Sequence, residues 1–184
     1  MRIAQLANFV GPTSGGMRTA LAALGQGYAA AGVQRLMVVP GPRDRVTETD
    51  AGRVVELRAP RVGGGYRLIV EPWRVVEVLE GFAPTSLEVS DKSTMLPVSA
   101  WARRSGVPTL LLSHERLDAM LALRTGLGAG FGAPVAALNR VLAQRYDRVV
   151  VTSAFAADEF AEAVATAGVP LHRVPLGVDL ATFR

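Results

Sequence analysis

The stretch Arg2-Ile3-Ala4-Gln5-Leu6-Ala7, followed a few residues later by Gly15-Gly16-Met17-Arg18, decides the fold class of this chain. The first run is mostly apolar, which is typical of a strand covered on both faces of a parallel sheet. The glycines indicate a strand-to-helix turn, and Gly32 supplies a left-handed stop for a helix over residues 16–31. The chain therefore starts as the strand–turn–helix unit of an α/β protein.

Short apolar runs alternate with longer amphipathic segments along the rest of the chain. They predict strands at residues 2–7, 36–39, 54–57, 86–89, 109–113, 148–152 and 173–176. Helices are predicted at residues 16–31, 72–80, 94–105, 134–144 and 154–167. Right-handed connections between these elements give a Rossmann-like three-layer domain with a mostly parallel sheet of about seven strands. The glycine-rich residues 59–67 and 125–132 are predicted to be mobile loops, either functional or simply tolerated at the surface.

The composition is that of one folded domain. The chain has 184 residues, of which 49% are hydrophobic and 20% are charged, as expected for a domain with a single core. Its apolar runs are strand-sized, so no membrane span is predicted. The amino terminus enters a strand pattern without a signal-peptide core, so we expect a cytoplasmic protein. Cysteine is absent and His114 and His172 are the two histidines, which excludes thiolate metal sites and a structural zinc site.

The charge balance is basic, with a net charge of +4, and Lys92 is the single lysine among twenty basic residues. Such arginine use has two interpretations, a G+C-rich genome or a phosphate-bearing partner, because guanidinium groups bind phosphate well. Nucleic acid is disfavoured as the partner, since the arginines are scattered and aromatic residues make up only 6% of the chain.

The turn between the first strand and the first helix is a candidate phosphate site. Gly11, Gly15 and Gly16 allow close approach of a diphosphate, and a helix amino terminus offers unpaired N–H groups. The spacing matches neither Gly-x-Gly-x-x-Gly nor a P-loop, which argues against a nicotinamide cofactor or a nucleotide triphosphate. The alternative is that these glycines only form a tight turn.

The densest cluster of ionisable residues follows the strand at residues 109–113. Ser113-His114-Glu115-Arg116 lies at the carboxyl end of that strand, where open parallel sheets bind ligands. Glu115 can orient the imidazole of His114, and Arg116 can hold a phosphate or balance Glu115. The alternative is a capped helix start, with Ser113 or Asp118 as the cap.

Two further polar groups end strands at the same predicted edge. Ser90-Asp91 follows residues 86–89, and Thr152-Ser153 follows the strand that starts at residue 148. Each group has two interpretations. It either caps a helix or contacts a ligand in a cleft at this edge of the sheet, and capping is favoured for Ser90 or Asp91.

Taken together, the pair Gly15-Gly16, His114 at a strand end and the sequence Val174-Pro175-Leu176-Gly177-Val178-Asp179 resemble the amino-terminal domain of a GT-B glycosyltransferase of retaining family 4. The stretches Ala7-Asn8-Phe9-Val10-Gly11-Pro12 and Ser113-His114-Glu115-Arg116-Leu117-Asp118 further resemble the actinobacterial phosphatidylinositol mannoside mannosyltransferases, especially those acting on the dimannoside. The resemblance spans the whole chain.

The resemblance implies a nucleotide-sugar donor, GDP-mannose, bound between two Rossmann-like domains without a metal or other cofactor. Residues 1–177 form the acceptor-side domain, residues 178–184 begin the interdomain linker, and the donor-binding domain is absent, so this chain alone is expected to be inactive. Gly15 and Gly16 would approach the donor diphosphate, and His114 would face the donor sugar as the catalytic candidate. The acceptor-side or cleft candidates are Arg18, Ser90, Asp91, Glu115 and Arg116.

A glycolipid acceptor such as a phosphatidylinositol mannoside implies peripheral association with the inner face of the plasma membrane. Residues 133–148, with three arginines among apolar residues, are a candidate docking face, although an ordinary core helix is the favoured interpretation.

Two other classes of function stay open from the sequence. A one-domain dehydrogenase or sugar-nucleotide epimerase would need an acidic residue directly after the second strand, where Pro40-Gly41-Pro42-Arg43-Asp44 stands instead. The chain can instead be read as a non-catalytic binding module. In that case His114→Ala would leave both the sugar transfer of the full-length protein and the stability of the fold unchanged.

Overall fold

The computed structural model describes residues 1–8, 15–63, 65–114, 117 and 131–177. Within these ranges, the strands are β1 (Arg2–Leu6), β2 (Gln34–Gly41), β3 (Arg45–Thr49), β4 (Gly52–Arg58), β5 (Arg61–Gly63), β6 (Tyr66–Arg67), β7 (Ser86–Val89), β8 (Thr109–Ser113), β9 (Arg148–Val151) and β10 (Leu171–Arg173). The helices are α1 (Gly15–Ala30), α2 (Pro72–Phe82), α3 (Leu96–Arg104), α4 (Gly132–Arg145) and α5 (Ala154–Ala167).

The main sheet has eight strands in the order β10-β9-β8-β7-β1-β2-β4-β3. Every neighbouring pair is parallel except β3 and β4. The chain starts at β1, moves outward on one side through β2 to β4 and β3, and then moves outward on the other side from β7 to β10, which is the doubly wound arrangement. The predicted Rossmann-like α/β fold with a mostly parallel sheet is therefore confirmed.

The main hydrophobic core lies between the sheet and helices α2 to α5. It includes Leu87, Leu111, Val149 and Phe160, each of which is completely buried. A smaller cluster of Ala7, Leu21 and Val39 packs α1 onto the sheet. The near-continuous apolar strands of the sequence thus have the covering that parallel sheets require.

The prediction of a loop throughout residues 59–67 is wrong. Strands β5 and β6 form a hairpin there, and Gly65, at φ +78°, takes the left-handed conformation that its turn needs. The Arg67 guanidinium donates to the Ala59 carbonyl oxygen at 2.6 Å, and the Leu68 amide donates to the Pro60 carbonyl oxygen at 3.1 Å. These bonds to the start of the segment compensate for its poor intrinsic strand propensity. The other predicted loop lies largely outside the described residues, and Gly132 at its end begins α4.

Strand β3 is absent from the sequence-based prediction because all five of its residues are exposed. Its partner is the antiparallel β4, and salt bridges join Arg45 to Glu56 and Arg53 to Glu48 across the pair. Charged residues blunt this outer edge of the sheet against pairing with another chain.

Candidate functional site

The winding of the sheet reverses between β1 and β7, and the carboxyl ends of these two strands form the candidate site. Leu6 of β1 is level with Val89 of β7, and the amide of Ser90 donates to the Leu6 carbonyl oxygen at 2.9 Å. From β1 the chain continues to β2 on one side, whereas β7 leads to β8 on the other. A crevice opens at such a reversal in doubly wound sheets, and ligands bind there.

Asn8 follows β1 at this edge of the sheet and is only 2% exposed. Its side-chain oxygen accepts from the Ile69 amide at 2.6 Å, and its side-chain nitrogen donates to the Ile69 carbonyl oxygen at 3.1 Å. The same nitrogen donates to Thr94 Oγ1 at 2.5 Å. Asn8 therefore joins three segments, those that follow β1, β6 and β7. Asn8 is not among the site residues predicted from the sequence, although a polar residue directly after a buried strand is a signal for one.

Asp91 is almost completely buried, and its carboxylate shapes the turn after β7. It accepts from the amides of Ser93 at 2.6 Å and Thr94 at 2.7 Å, and also from the Thr94 hydroxyl. The expectation that Asp91 or Ser90 caps the next helix is wrong, because α3 begins only at Leu96 and has no side-chain cap. Ser90 is half-buried at the same strand end.

His114 stands directly after β8 and is half-buried. Its carbonyl oxygen accepts a long hydrogen bond of 3.4 Å from the Thr152 hydroxyl at the end of β9. The predicted partners Glu115 and Arg116, and the alternative cap Asp118, lie outside the described residues. Ser153 caps α5, since its hydroxyl accepts from the Ala156 amide at 3.1 Å.

Helix α1 brings the predicted glycines to the same edge of the sheet. The helix begins at Gly15, and Gly16 is exposed, with no atom within 4 Å of the position that a Cβ would take. Arg18 is exposed in the first turn. The amino terminus of a 16-residue helix carries unpaired N–H groups and partial positive charge, which suits an anionic ligand. Gly11, the other glycine of the predicted phosphate turn, lies outside the described residues.

A buried polar network fixes α1 on the sheet. The Arg35 guanidinium, on a residue that is 5% exposed, donates to Gln5 Oε1 at 2.6 Å and to the Leu21 carbonyl oxygen of α1 at 2.9 Å. Glu88 accepts from Gln5 at 2.7 Å and from the Tyr28 hydroxyl at 2.5 Å. Burial lowers the pKa of Arg35, and burial together with the Glu88 carboxylate raises the pKa of Tyr28 well above its usual range.

Lys92 forms a buried ion pair that was not predicted from the sequence. Its ammonium donates to Glu159 Oε2 of α5 at 2.7 Å, and the two side chains are 10% and 2% exposed. The only hint of a special role for Lys92 in the sequence is compositional, because it is the single lysine of an arginine-rich chain.

Helix α4 is a core helix, in line with the favoured interpretation of residues 133–148. It buries Val135, Asn139, Leu142 and Ala143, and its Arg140 pairs with Glu162 of α5. None of the helices in the described ranges is both long and apolar enough to span a bilayer.

Asp44, which follows β2, makes hydrogen bonds through its carboxylate to other residues of this domain. Its carboxylate accepts from the Arg58 amide at 2.7 Å and from the Arg74 guanidinium at 2.6 Å. These two donors lower the pKa of Asp44, the amide contributing most. The residue thus anchors the chain beside the sheet edge, where a dinucleotide enzyme would use an acidic side chain to bind ribose.

Comparison with known proteins gives consistent matches. Residues 15–177 match the family model described as a glycosyl transferase 4-like domain. The whole chain is 43% identical, over 187 aligned residues, to the GDP-mannose-dependent alpha-(1-6)-phosphatidylinositol dimannoside mannosyltransferase of two Mycobacterium tuberculosis strains. The chain spans 48% of the length of these relatives.

Two solved structures share the fold. Sucrose-phosphate synthase from Thermosynechococcus elongatus has a TM-score of 0.67 at 18% identity, covering 98% of this chain and 49% of that one. A UGT transferase from Siraitia grosvenorii in complex with UDP has a TM-score of 0.55 at 13% identity, covering 99% of this chain and 53% of that one. In each case this chain matches about half of a longer protein.

Proposed function

Because the chain belongs to the glycosyl transferase 4-like domain family, we propose that it is the acceptor-side half of a retaining mannosyltransferase that uses GDP-mannose. The acceptor in this proposal is a phosphatidylinositol mannoside. The observation that carries it is the 43% identity along the entire chain to a mannosyltransferase of that specificity. The doubly wound sheet is a framework that can bind such substrates at the carboxyl ends of its strands.

The donor diphosphate is proposed to lie at the amino terminus of α1, beside Gly15 and Gly16. In the transfer, the bond from the anomeric carbon to the diphosphate breaks, a bond to the acceptor oxygen forms, and the acceptor proton leaves with the diphosphate. Negative charge therefore grows on the leaving group, and fixed N–H dipoles can stabilise it. The proposal needs no metal, so transfer should continue in excess EDTA.

His114 is the proposed contact to the donor sugar. It follows β8, at the same carboxyl edge of the sheet as β1 and β7, and a half-buried imidazole there can meet a ligand in the crevice. The proposed acceptor-side group comprises Arg18, Ser90, Glu115 and Arg116. Asp91 belongs to it only through the turn that its buried carboxylate holds.

The remaining donor contacts are proposed to come from a second domain. The curated relatives are about twice as long as this chain, which spans 48% of them. Residues 1–177 then form one domain, residues 178–184 begin the connection, and the isolated chain is inactive.

Peripheral membrane association is part of the proposal, because a glycolipid acceptor lies in a membrane. The surface that supports it lies in the segment around the β5–β6 hairpin, where the side chains of Trp73, Val70 and Val62 are 63%, 56% and 50% exposed. The exposed Arg61 lies in the same segment and can pair with anionic lipid headgroups. Trp73→Ala should lower the fraction of protein that sediments with vesicles that contain phosphatidylinositol. Equal binding of the wild-type protein to pure phosphatidylcholine vesicles would contradict the proposed role of this surface.

The test of the function is mannosyl transfer by the full-length protein. With labelled GDP-mannose and a phosphatidylinositol mannoside, we expect a lipid product with one additional mannose in the alpha configuration. His114→Ala should abolish the transfer and leave the thermal unfolding temperature unchanged. A preference for another sugar nucleotide would overturn the donor assignment. Undiminished transfer by His114→Ala would show that His114 is not catalytic and would favour the interpretation of this chain as a binding module. Equal activity of the 184-residue chain alone would overturn the proposed division into domains.

A further inference from the structure

Three segments of the chain meet at the buried carboxylate of Glu159 in α5. One oxygen of this carboxylate accepts from the Lys92 ammonium at 2.7 Å. The other oxygen accepts from the backbone amide of Leu117 at 2.8 Å. Glu159 therefore links the turn after β7 to the segment after β8, which carries His114.

The side chain of Lys92 suits this position. Nineteen of the twenty basic residues are arginines, and the one lysine is 10% exposed against a carboxylate that is 2% exposed. A compact ammonium can bind a single carboxylate oxygen and leave the second oxygen for Leu117, whereas a planar guanidinium tends to engage both. The ammonium also lies 5.2 Å from the centroid of the Phe160 ring, a favourable cation–π distance.

Stability alone does not account for this ion pair. The desolvation of two buried charges offsets most of their attraction, so an apolar pair of the same size is often as stable. What the pair provides is geometry, because the carboxylate can accept from Leu117 only where Lys92 and α5 hold it. Asn139, completely buried in α4, supports the same helical turn by donating to the Glu159 carbonyl oxygen at 3.1 Å.

The segment after β8 is thus held at two points, at His114 itself and at Leu117. The Thr152 hydroxyl donates to the His114 carbonyl oxygen at 3.4 Å, and the Leu117 amide is held by Glu159 three residues later. We propose that Lys92 and Glu159 are positioning residues, whose ion pair holds the backbone at Leu117, three residues after His114, in the place that sugar transfer needs. This inference rests on the proposed function.

The kinetic test uses three variants of the full-length enzyme. Lys92→Met leaves the Glu159 charge buried without its counter-ion, and Glu159→Ala removes the acceptor for the Leu117 amide. Each should lower kcat by about tenfold or more with little change in KM for the sugar nucleotide, because misplacement of a reacting group by about 1 Å can cost about a hundredfold. The double variant Lys92→Met/Glu159→Gln removes both charges and keeps a carbonyl acceptor, so it should recover most of kcat.

The matched control is Glu162→Gln, in the same helix. Glu162 pairs with Arg140 at 2.9 Å, but these side chains are 78% and 53% exposed, and exposed pairs contribute little. The control should retain wild-type kcat and KM. Single variants with wild-type kcat, or a double variant no better than Lys92→Met, would overturn the positioning role in transfer.

Amide hydrogen exchange of the full-length protein tests the same contact without activity. The Leu117 amide should exchange faster in Glu159→Ala than in wild type, and the Glu162→Gln control should not change it. Unchanged exchange at Leu117 would overturn the proposal, because it would show that Glu159 does not hold the Leu117 amide. A wild-type protein that transfers no sugar would instead overturn the proposed function, and the exchange measurement tells these two failures apart.

Discussion

Asn8 and Ile69 exchange two hydrogen bonds across 61 residues of sequence, so that one side-chain amide satisfies both polar groups of one backbone unit. The Ile69 amide donates to Asn8 Oδ1, and Asn8 Nδ2 donates to the Ile69 carbonyl oxygen. Because Ile69 is 3% exposed, water cannot easily replace either bond. This pair ties the segment between β6 and α2 to a residue that closely follows β1.

The first prediction follows from this pair. Asn8→Leu should lower the free energy of unfolding by about 3 kcal/mol, since it leaves the buried amide and carbonyl of Ile69 unpaired. Asn139→Leu is the matched comparison, because Asn139 is also buried and its Nδ2 donates to the Glu159 carbonyl oxygen, but among the described residues its Oδ1 accepts from no donor. It should cost about 1 kcal/mol, because one hydrogen bond is lost. Urea unfolding followed by circular dichroism measures both values, and equal losses would contradict the structural interpretation of Asn8.

The second prediction concerns the packing of α1. A Cβ on Gly25 would lie 2.6 Å from Nη1 and 2.8 Å from Cζ of the buried Arg35 side chain. Gly25→Ala should therefore destabilise the protein by about 1 to 3 kcal/mol, although alanine is the better helix former. Gly27→Ala, in the same helix with no atom within 4 Å of the new Cβ, should stabilise it by about 0.5 to 1 kcal/mol.

Thermal unfolding of the two variants gives the comparison. If Gly25→Ala is as stable as Gly27→Ala, the Arg35 side chain can move aside and does not fix α1. Combining Gly25→Ala with Arg35→Met should cost less than the sum of the two single changes, because the clash is then removed.

Local sequence signals predicted the central elements well. Strand β8 and helix α5 lie where the sequence placed them, at Thr109–Ser113 and Ala154–Ala167. Each has its own boundary chemistry, since polar His114 follows the apolar strand, and Ser153 and the left-handed Gly168 cap the helix. Edge strand β3 lacked such a signal, because its stability comes from pairing with β4 and not from burial of its own side chains.

The site was predictable only in part, for a similar reason. Strand ends and glycines are local, so the carboxyl edge of the sheet could be recognised from Gly15, Gly16, Ser90 and His114. The contacts that hold the segments after these strands join residues far apart in sequence, such as Asn8 with Ile69 and Lys92 with Glu159, which are 67 residues apart. No local pattern encodes these partners. The burial of Asp91 within its own turn is likewise a property of the folded chain.

The third prediction is a dependence of stability on alkaline pH. Burial, then the hydrogen bond to Glu88 and its negative charge, raises the pKa of Tyr28 in the folded protein. An unfolded tyrosine loses its proton near pH 10. Above that pH the folded state binds more protons than the unfolded state, so the free energy of unfolding should fall as the pH rises. Each such tyrosine contributes a slope of at most about 1.4 kcal/mol per pH unit.

Tyr28→Phe tests this slope. At pH 7 the variant should lose about 2 kcal/mol, because the hydrogen bond to the charged Glu88 is removed. Between pH 9.5 and 11, about the ordinary tyrosine pKa, its stability should decline less steeply than that of wild type. The residual decline is expected in part from Tyr146, whose pKa is raised by burial and then by the charge of Asp91. Urea unfolding curves at several pH values give the slopes, and parallel curves for wild type and Tyr28→Phe would contradict the prediction.

The fourth prediction separates function from folding at the amino terminus of α1. Gly16 is exposed, its backbone is not left-handed, and a Cβ there would meet no atom within 4 Å. The fold therefore tolerates Gly16→Ala, which should raise stability slightly, as Gly27→Ala should in the same helix. If the donor diphosphate approaches this backbone, the added methyl group obstructs it, and kcat/KM for GDP-mannose should fall by about tenfold or more. Gly27→Ala should leave kcat/KM unchanged, so the pair reports the phosphate contact independently of helix stability. Wild-type transfer by Gly16→Ala would show that the glycine serves only the turn, and the diphosphate would then have to bind elsewhere along the crevice.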